Sequence, residues 1–332
     1  MFCAHAERIP GHNHTYPMIP TNTYFRVRGA FLLLMAASIL LLQAAPAPDK
    51  SPLVTTDWVA NNSKDKDIRL IEVSVDAGLY EKGHIPGALN ISWHTDLVDN
   101  PNRDVVGKEG FEKLASRLGI TPDTTVILYG DNNNWFAAWG AWVFNLYGHT
   151  NVKLLDGGRK KWEAEKRPLE TTTPSVKPTQ YTVKAVNEKL RAFLPDVVKT
   201  AKAKAADTAL LDIRSPDEFS GKIIAPAGIQ ELAVRAGHVP GAVNVPWATA
   251  VAADGTFKPV DELRKIYADK GVDGSKPVIV YCRIGERSAH TWFALSQLLA
   301  YEVKQYDGSW TEYGNSVGVP INNPSGTVWT GK

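Results

Sequence analysis

The stretch "GHIPGALNISW" at residues 83–93 returns almost unchanged as "GHVPGAVNVPW" at 237–247. Further blocks on either side of it recur in the same order. Upstream, "LIEVSV" (70–75) pairs with "LLDIRS" (210–215). Downstream, "TVILYGDNNNWFAAWGAWVFNLYG" (125–148) pairs with "PVIVYCRIGERSAHTWFALSQLLAY" (277–301), and "LLDGGRKKW" (154–162) with "QYDGSWTEYG" (305–314). A constant block order over so long a period is a tandem duplication of one domain, not a short-period solenoid. Each half alternates short apolar, β-branched runs (70–75, 126–129, 210–213, 278–281) with amphipathic stretches such as "EGFEKLASRLG" and "VDELRKIYADKG". Strands apolar throughout and separated by helices predict a parallel sheet with helices on both faces. The chain therefore reads as α/β, with one such domain at 53–164 and a second at 183–320. Between them "EKRPLETTTPSVKPTQYT" (165–182), rich in Pro and Thr, reads as a linker.

With 332 residues, 44% of them hydrophobic and 22% charged, the chain can bury two cores of ordinary size. Its first 44 residues stand apart: Arg26 and Arg28 precede a 14-residue apolar run at 29–42, and small residues including Ala44, Ala45 and Ala47 follow. That order predicts a secretory signal peptide at 1–44, cleaved after Ala44, and a periplasmic or secreted protein. The run is shorter than the ~20 apolar residues of a spanning helix, which makes an uncleaved anchor the lesser alternative. The atypical residues ahead of Arg26 make Met18 an alternative start. Cleavage takes Arg8, Arg26, Arg28 and Glu7, so 37 basic and 35 acidic residues become 34 of each. A formally neutral chain has no overall field to attract nucleic acid and no stable membrane contact once the signal is gone, so any anion site must be local. Cleavage also removes Cys3 and leaves Cys282 without a disulfide partner, in a compartment where cysteines normally pair.

Cys282 opens a short loop after the strand "VIVY", and ligands of open parallel sheets bind beyond the carboxyl ends of the strands. Gly285 permits a sharp turn, Ser288 is expected to cap the helix that follows, and Arg283 and Arg287 flank the sulfur. Inward amide N–H groups at a helix N-terminus, beside two guanidinium groups, predict an anion cradle that favours thiolate over thiol. The alternative, an inert cysteine packed as a small apolar side chain, fits poorly with two arginines and a glutamate within five residues. The matching position in the first half is Gly130, followed by "DNNNW". One half is thus expected to work and the other to serve as scaffold.

These residues resemble the rhodaneses, specifically tandem-domain thiosulfate sulfurtransferases, over about 53–320. The resemblance is most specific in "CRIGERS", "GHVPGAVNVPW", "LLDIRSPDEF" and "YDGSW". It implies two α/β domains of which only the C-terminal one is catalytic, Cys282 as nucleophile and persulfide carrier, and no metal or organic cofactor. It further implies that the loop at Arg283, Ile284, Gly285, Glu286 and Arg287 binds substrate and that Arg214 supports the loop. Where some animal members place an arginine shortly after their DxR arginine, this chain has Asp217 and Glu218, so Arg283 and Arg287 are expected to anchor the anion instead. The implied reaction is a double displacement: Cys282 takes the sulfane sulfur of thiosulfate, expels sulfite, and passes the sulfur to a thiophile such as cyanide. The rival donor, 3-mercaptopyruvate, goes in this family with loops of the type Cys-Gly-Ser/Thr-Gly-Val-Thr, whereas two loop arginines favour a compact dianion. The spacing Cys-x4-Arg is one residue shorter than the Cys-x5-Arg loop of cysteine phosphatases and suits a sulfane sulfur better than a phosphate. A non-catalytic binding module would be the better reading had Cys282 been lost as well.

Other conspicuous residues have plainer readings. His84 and His238 stand at matching places in the two repeats and read as turn residues rather than bases. Trp135, Trp139 and Trp142 read as helix core and interdomain packing, with Trp93 or Trp135 as candidates for the site mouth. "DNNNW" is a candidate polar wall between the halves, and "SGKIIAPAGIQELAVRA" (220–236) reads as a surface loop beside the site.

Overall fold

The computed structural model describes residues 51–203, 207–228, 233–328 and 330; the expected signal peptide lies outside them. Two five-stranded parallel sheets carry the two repeats. The first contains β1 (Leu53–Val54), β2 (Ile68–Glu72), β3 (Leu89–Asn90), β6 (Thr125–Tyr129) and β7 (Val152–Leu155), in the order β1-β7-β6-β2-β3; β4 (Val98–Asp99) and β5 (Asp104–Val105) form a separate antiparallel hairpin. The second contains β8 (Arg191–Ala192), β9 (Ala209–Asp212), β10 (Val243–Asn244), β11 (Val278–Tyr281) and β12 (Val303–Tyr306) in the order β8-β12-β11-β9-β10. Matching strands occupy matching places, as a duplicated domain requires. The helices are α1 (Thr56–Asn62), α2 (Leu79–Lys82), α3 (Lys108–Arg117), α4 (Trp135–Leu146) and α5 (Gly158–Ala164) in the first half. The second half has α6 (Leu194–Lys202), α7 (Pro216–Ser220), α8 (Val260–Ala268), α9 (Glu286–Trp292) and α10 (Ser309–Tyr313). No helix among the described residues is long and apolar enough to cross a membrane.

Strand pleating sorts side chains onto two faces with a period of two. On β6, Ile127 and Tyr129 face an outer layer with Val59, Tyr80 and Trp162, while Val126 and Leu128 face the opposite way. On β11, Ile279 and Tyr281 join an outer layer with Val197, Trp310 and Tyr313. Val278, Val280 and, in step with them, Cys282 enter a core shared by both halves. There the equivalent helices α4 and α9 pack on each other. The cysteine is therefore aimed at the junction by the alternation of its own strand. Cross-half contacts close that junction: the Trp135 ring meets Trp247 edge-on at 4.8 Å, Trp142 Nε1 donates to the Leu190 carbonyl at 3.1 Å, and Trp139 Nε1 donates to Asp307 Oδ1 at 2.9 Å.

The segment expected to be a linker is laid down on the first half. Glu170 pairs with His84 through backbone hydrogen bonds in both directions, Thr179 donates to the Ser116 and Ile120 carbonyls, and Tyr181 and Val183 are buried. Its Pro and Thr content suppresses regular structure, yet its backbone donors still need partners and find them on α3. The chain after α10 repeats the device, with Asn322 pairing with His238.

Candidate active site

The loop after β11 is held from outside by its carbonyls. Cys282 O accepts the Trp310 N–H at 3.0 Å, and Arg283 O accepts both the N–H and the hydroxyl of Thr311 at 3.0 and 2.9 Å. Ile284 O accepts Arg103 Nη2 from the first half at 3.2 Å. With the carbonyls turned out, amides turn in: the Gly285 N–H donates to Cys282 Sγ at 3.1 Å. Gly285 has φ of +105°, and a Cβ there would stand 2.3 Å from Asp307 Oδ1, so both conformation and space require glycine. Gly285, not Ser288, sits at the N-cap of α9. Ser288 lies inside the helix, its hydroxyl donating back to the Gly285 carbonyl at 2.7 Å.

Cys282 is fully buried. Burial pushes its thiol up, the neighbouring Glu286 carboxylate adds to that, and Arg287 with the Ser288 amide and hydroxyl offsets it in part. The expected thiolate-favouring balance is thus reversed in the resting site. Burial comes first among the causes and Glu286 second; Glu218, which the sequence showed only as a departure from the animal pattern, pairs with the arginine that opposes them. Glu218 is buried on α7 and accepts Arg287 Nη1 and Nη2 at 3.3 and 3.2 Å, so the guanidinium expected to anchor substrate already has a counter-ion. Burial alone would raise the Glu218 carboxyl, but Arg287, with Arg214 behind it, holds it below its ordinary value. Ser215 completes the seat: its N–H and hydroxyl donate to Glu218 Oε2, and the Glu218 N–H donates back to its hydroxyl. Glu286 stands 3.8 Å from Sγ through Oε2, and burial raises its own affinity for a proton. Arg283 and Ile284 are half-buried at the rim.

Arg214, expected to support this loop, instead supports the strand end. Its Nε and Nη2 bind the Asp212 carboxylate at 2.6–3.2 Å, Nη2 also donates to the Gly237 carbonyl at 2.8 Å, and the guanidinium lies over the Trp310 ring at 4.4 Å. The first half shows that this is architecture. There Glu72 matches Asp212, and Arg159, which aligns with Trp310, supplies the guanidinium to Glu72 and to the Gly83 carbonyl. The same buried cation thus fills the same place in a half that has no cysteine. The sequence concealed the equivalence because the arginine comes from helix α5 in the first half and from the end of β9 in the second.

The histidines behave as turn residues. His84 stacks on Tyr80 at 3.8 Å and His238 on Phe219 at 3.6 Å, each ring bonding a backbone carbonyl through Nδ1. The polar residues of "DNNNW" close their own half, while its Trp135 meets the other: Asn134 is buried, accepts the Gly130 N–H and donates to the Leu155 carbonyl, and Asp131 accepts the Val75 and Asp76 amides. Of the segment 220–236, the described end is no loose loop. Arg235 donates to the carbonyls of Tyr313, Gly314, Ser316 and Val319, locking it beneath α10. Thr311 and Arg103 had drawn no notice in the sequence. Thr311 adjoins the quoted "YDGSW" block, but Arg103 lies where the two halves diverge and no repeat marks it.

Comparison with known proteins agrees with this geometry. The chain matches the Rhodanese-like domain family twice, over residues 55–165 and 195–316. It is 53% identical over 274 residues to a putative thiosulfate sulfurtransferase of Saccharopolyspora erythraea, covering 82% of this chain and 96% of that one. It is 52% identical over 272 residues to the sulfur carrier protein TtuD of Thermus thermophilus, covering 81% and 95%. Among solved structures it resembles SseA of Escherichia coli, a 3-mercaptopyruvate sulfurtransferase, with TM-score 0.66 and 28% identity over 78% of this chain and 99% of that one. Two sheets of identical strand order, a loop built around one sulfur, and a family match in each half lead to one conclusion: this chain belongs to the rhodanese-like domain family.

Proposed function

We propose that the protein is a thiosulfate sulfurtransferase working through a persulfide on Cys282. The observation that carries this is the loop itself, whose carbonyls face outward and whose Gly285 amide meets the sulfur. That arrangement stabilises negative charge on sulfur and, one atom further out, on a terminal sulfane sulfur. The relatives named thiosulfate sulfurtransferase at about half identity support the choice of donor.

Burial raises the proton affinity of both Cys282 and Glu286, so the sulfur needs a nearby base before it can attack. Transfer of the Cys282 proton to Glu286 Oε2 leaves the net charge of the site unchanged while moving the negative charge onto sulfur, towards Arg287 and the Gly285 amide. The thiolate then attacks the sulfane sulfur. An Sγ–S bond forms, the bond from that sulfur to the sulfonate sulfur breaks, and sulfite leaves with the electron pair. A thiophile such as cyanide attacks the outer sulfur, departs as thiocyanate and returns the thiolate. In this reading Arg283 and Ile284 form the rim past which a donor approaches, Gly285 stabilises the sulfur, and Arg287 supplies charge tempered by Glu218. Arg214 acts at a distance, through the strand end, Trp310 and Glu218.

Incubation with thiosulfate is expected to add one sulfur atom to the peptide containing Cys282, and cyanide to remove it. Mass spectrometry with thiosulfate and 3-mercaptopyruvate side by side tests the donor. Sulfur taken only from 3-mercaptopyruvate would overturn the donor assignment, and thiocyanate formation by Cys282→Ser would overturn the nucleophile.

Export is part of the same proposal, supported by the order of Arg26, Arg28, the apolar run and the alanines. The expected product is periplasmic or secreted protein beginning at Ala45. An intact 29–42 segment on membrane-bound protein would contradict it.

A further inference from the structure

The half that lacks a cysteine reaches into the working loop. Arg103 stands at the turn of the β4–β5 hairpin, in the left-handed region with φ of 52°, its N–H donating to the Asn100 carbonyl. The hairpin is fastened to the second half by the ion pair of Asp104 with Arg191. From there Arg103 Nη2 donates to the Ile284 carbonyl at 3.2 Å, and Nη1 lies 3.5 Å from Asp307 Oδ2.

The Ile284 carbonyl and the Gly285 N–H belong to one peptide unit. A trans peptide is planar, and its C=O and N–H point in opposite directions. Whatever holds the carbonyl therefore aims the N–H, and that N–H meets Cys282 Sγ at 3.1 Å. The two preceding carbonyls, of Cys282 and Arg283, are held by α10 of the same half, whereas the peptide touching sulfur is held by a cation from the other half. A charged donor on the carbonyl also polarises the amide, strengthening its hydrogen bond to an anionic sulfur. Asp307 adds a second connection. It receives Trp139 Nε1 from the first half and fills the space against which Gly285 turns.

The reciprocal contact shows what is particular to the working side. The second half has its own short hairpin, paired at Val251 and Phe257, that reaches the "DGG" turn of the first. There the Phe257 N–H donates to Asp156, the counterpart of Asp307, and the hairpin brings the carboxylate of Asp254 to Lys161. Where no sulfur is present the incoming hairpin carries an acid; where the sulfur is, it carries an arginine.

We propose that Arg103 is a positioning residue for Cys282 supplied by the non-catalytic half, orienting and polarising the Ile284–Gly285 peptide that contacts the sulfur. This rests on the sulfur-transfer reading for its consequence in turnover, but it can be tested without turnover. The full chain, as wild type, Arg103→Ala and Arg103→Lys, is alkylated with iodoacetamide across a pH series, and modification is mapped to the Cys282 peptide. The direction of the midpoint shift is the readout, because a loop that merely opened would hydrate the buried thiol and move the midpoint down, whereas loss of the Arg103 contact moves it up. Arg103→Ala is expected to move the midpoint to higher pH and to lower kcat/KM for thiosulfate roughly tenfold, the effect of one charge-assisted hydrogen bond. Its melting temperature should fall only modestly, since the arginine is 45% exposed and the buried Asp307 keeps Trp139 Nε1 as a donor. Arg103→Lys should recover part of the midpoint shift. An Arg103→Ala profile superimposable on wild type would overturn the proposal, as would an Arg103→Lys variant with no recovery. If wild-type protein takes no sulfur from thiosulfate, the reading of the reaction fails, and the midpoint still decides the role of Arg103.

Discussion

Replacing Glu218 by Gln separates the two things its carboxylate does. Glu218 is fully buried and Arg287 is 8% exposed, so neither charge is solvated by bulk water and each is the other's compensation. Removing one partner of such a pair costs about 3–5 kcal/mol. Gln retains an oxygen that can accept from Arg287 or Ser215, which puts the expected loss near the lower end, about 3 kcal/mol, or roughly 5 °C in melting temperature for a folded unit of this size. The effect should depend on pH. The folded carboxyl is held below its ordinary value of 4.5, so its contribution is complete above that range and is lost as pH falls through the lower folded value. Wild type and Glu218→Gln should therefore converge in acid. The same change should make Cys282 more reactive, because Arg287 loses its counter-ion and its charge acts on the sulfur. Calorimetry across pH, with the pH midpoint of Cys282 alkylation, reads both effects. A variant that melts with wild type at neutral pH, or alkylates with an unchanged midpoint, would refute the view that Glu218 both stabilises and tempers Arg287.

Gly285→Ala, with its Cβ forced to 2.3 Å from Asp307 Oδ1 at a φ of +105°, should lose persulfide formation and at least about 1–2 kcal/mol of stability, as followed by mass spectrometry and urea unfolding. Gly130→Cys in a Cys282→Ser background should not restore a persulfide, because its Cβ would lie 2.3 Å from the Val73 carbonyl oxygen; a thiosulfate-dependent mass gain on that variant would refute the close approach. His290 is buried with its pKa lowered to about 3, stacked on Phe257, and has Nδ1 unpaired. The unfolded chain therefore takes up its proton first, and stability should fall by about 1.4 kcal/mol per pH unit from the ordinary histidine value of 6.5 downward. His290→Phe should flatten that part of the pH profile in thermal melts.

The fold and the candidate nucleophile were legible in the residues because both are written locally. Apolar runs of period two, helices between them and a block order that repeats are properties of contiguous chain, and they predicted two sheets of identical topology. Cys282 was legible for the same reason, being a single thiol among charged residues just after a buried strand, with Gly130 in its place in the other repeat. The linker was legible in composition but not in conformation, since Pro and Thr content excludes helix and strand without saying which carbonyls receive the backbone amides. The balance of charge around the sulfur could not be read at all. Arg287 appears beside Cys282 in the sequence, but its charge is answered by Glu218, 69 residues earlier. Arg214 lies next to a recurring motif in the sequence, but only the fold places Arg159 beside Glu72 as its counterpart in the half without the cysteine. Arg103 meets the loop across 181 residues of separation and two halves of the molecule. Burial and pairing set how far a charge acts, and both arise only when distant segments are brought into contact. The sequence could therefore single out the atom proposed to react, while the tertiary structure decided which neighbours tune it.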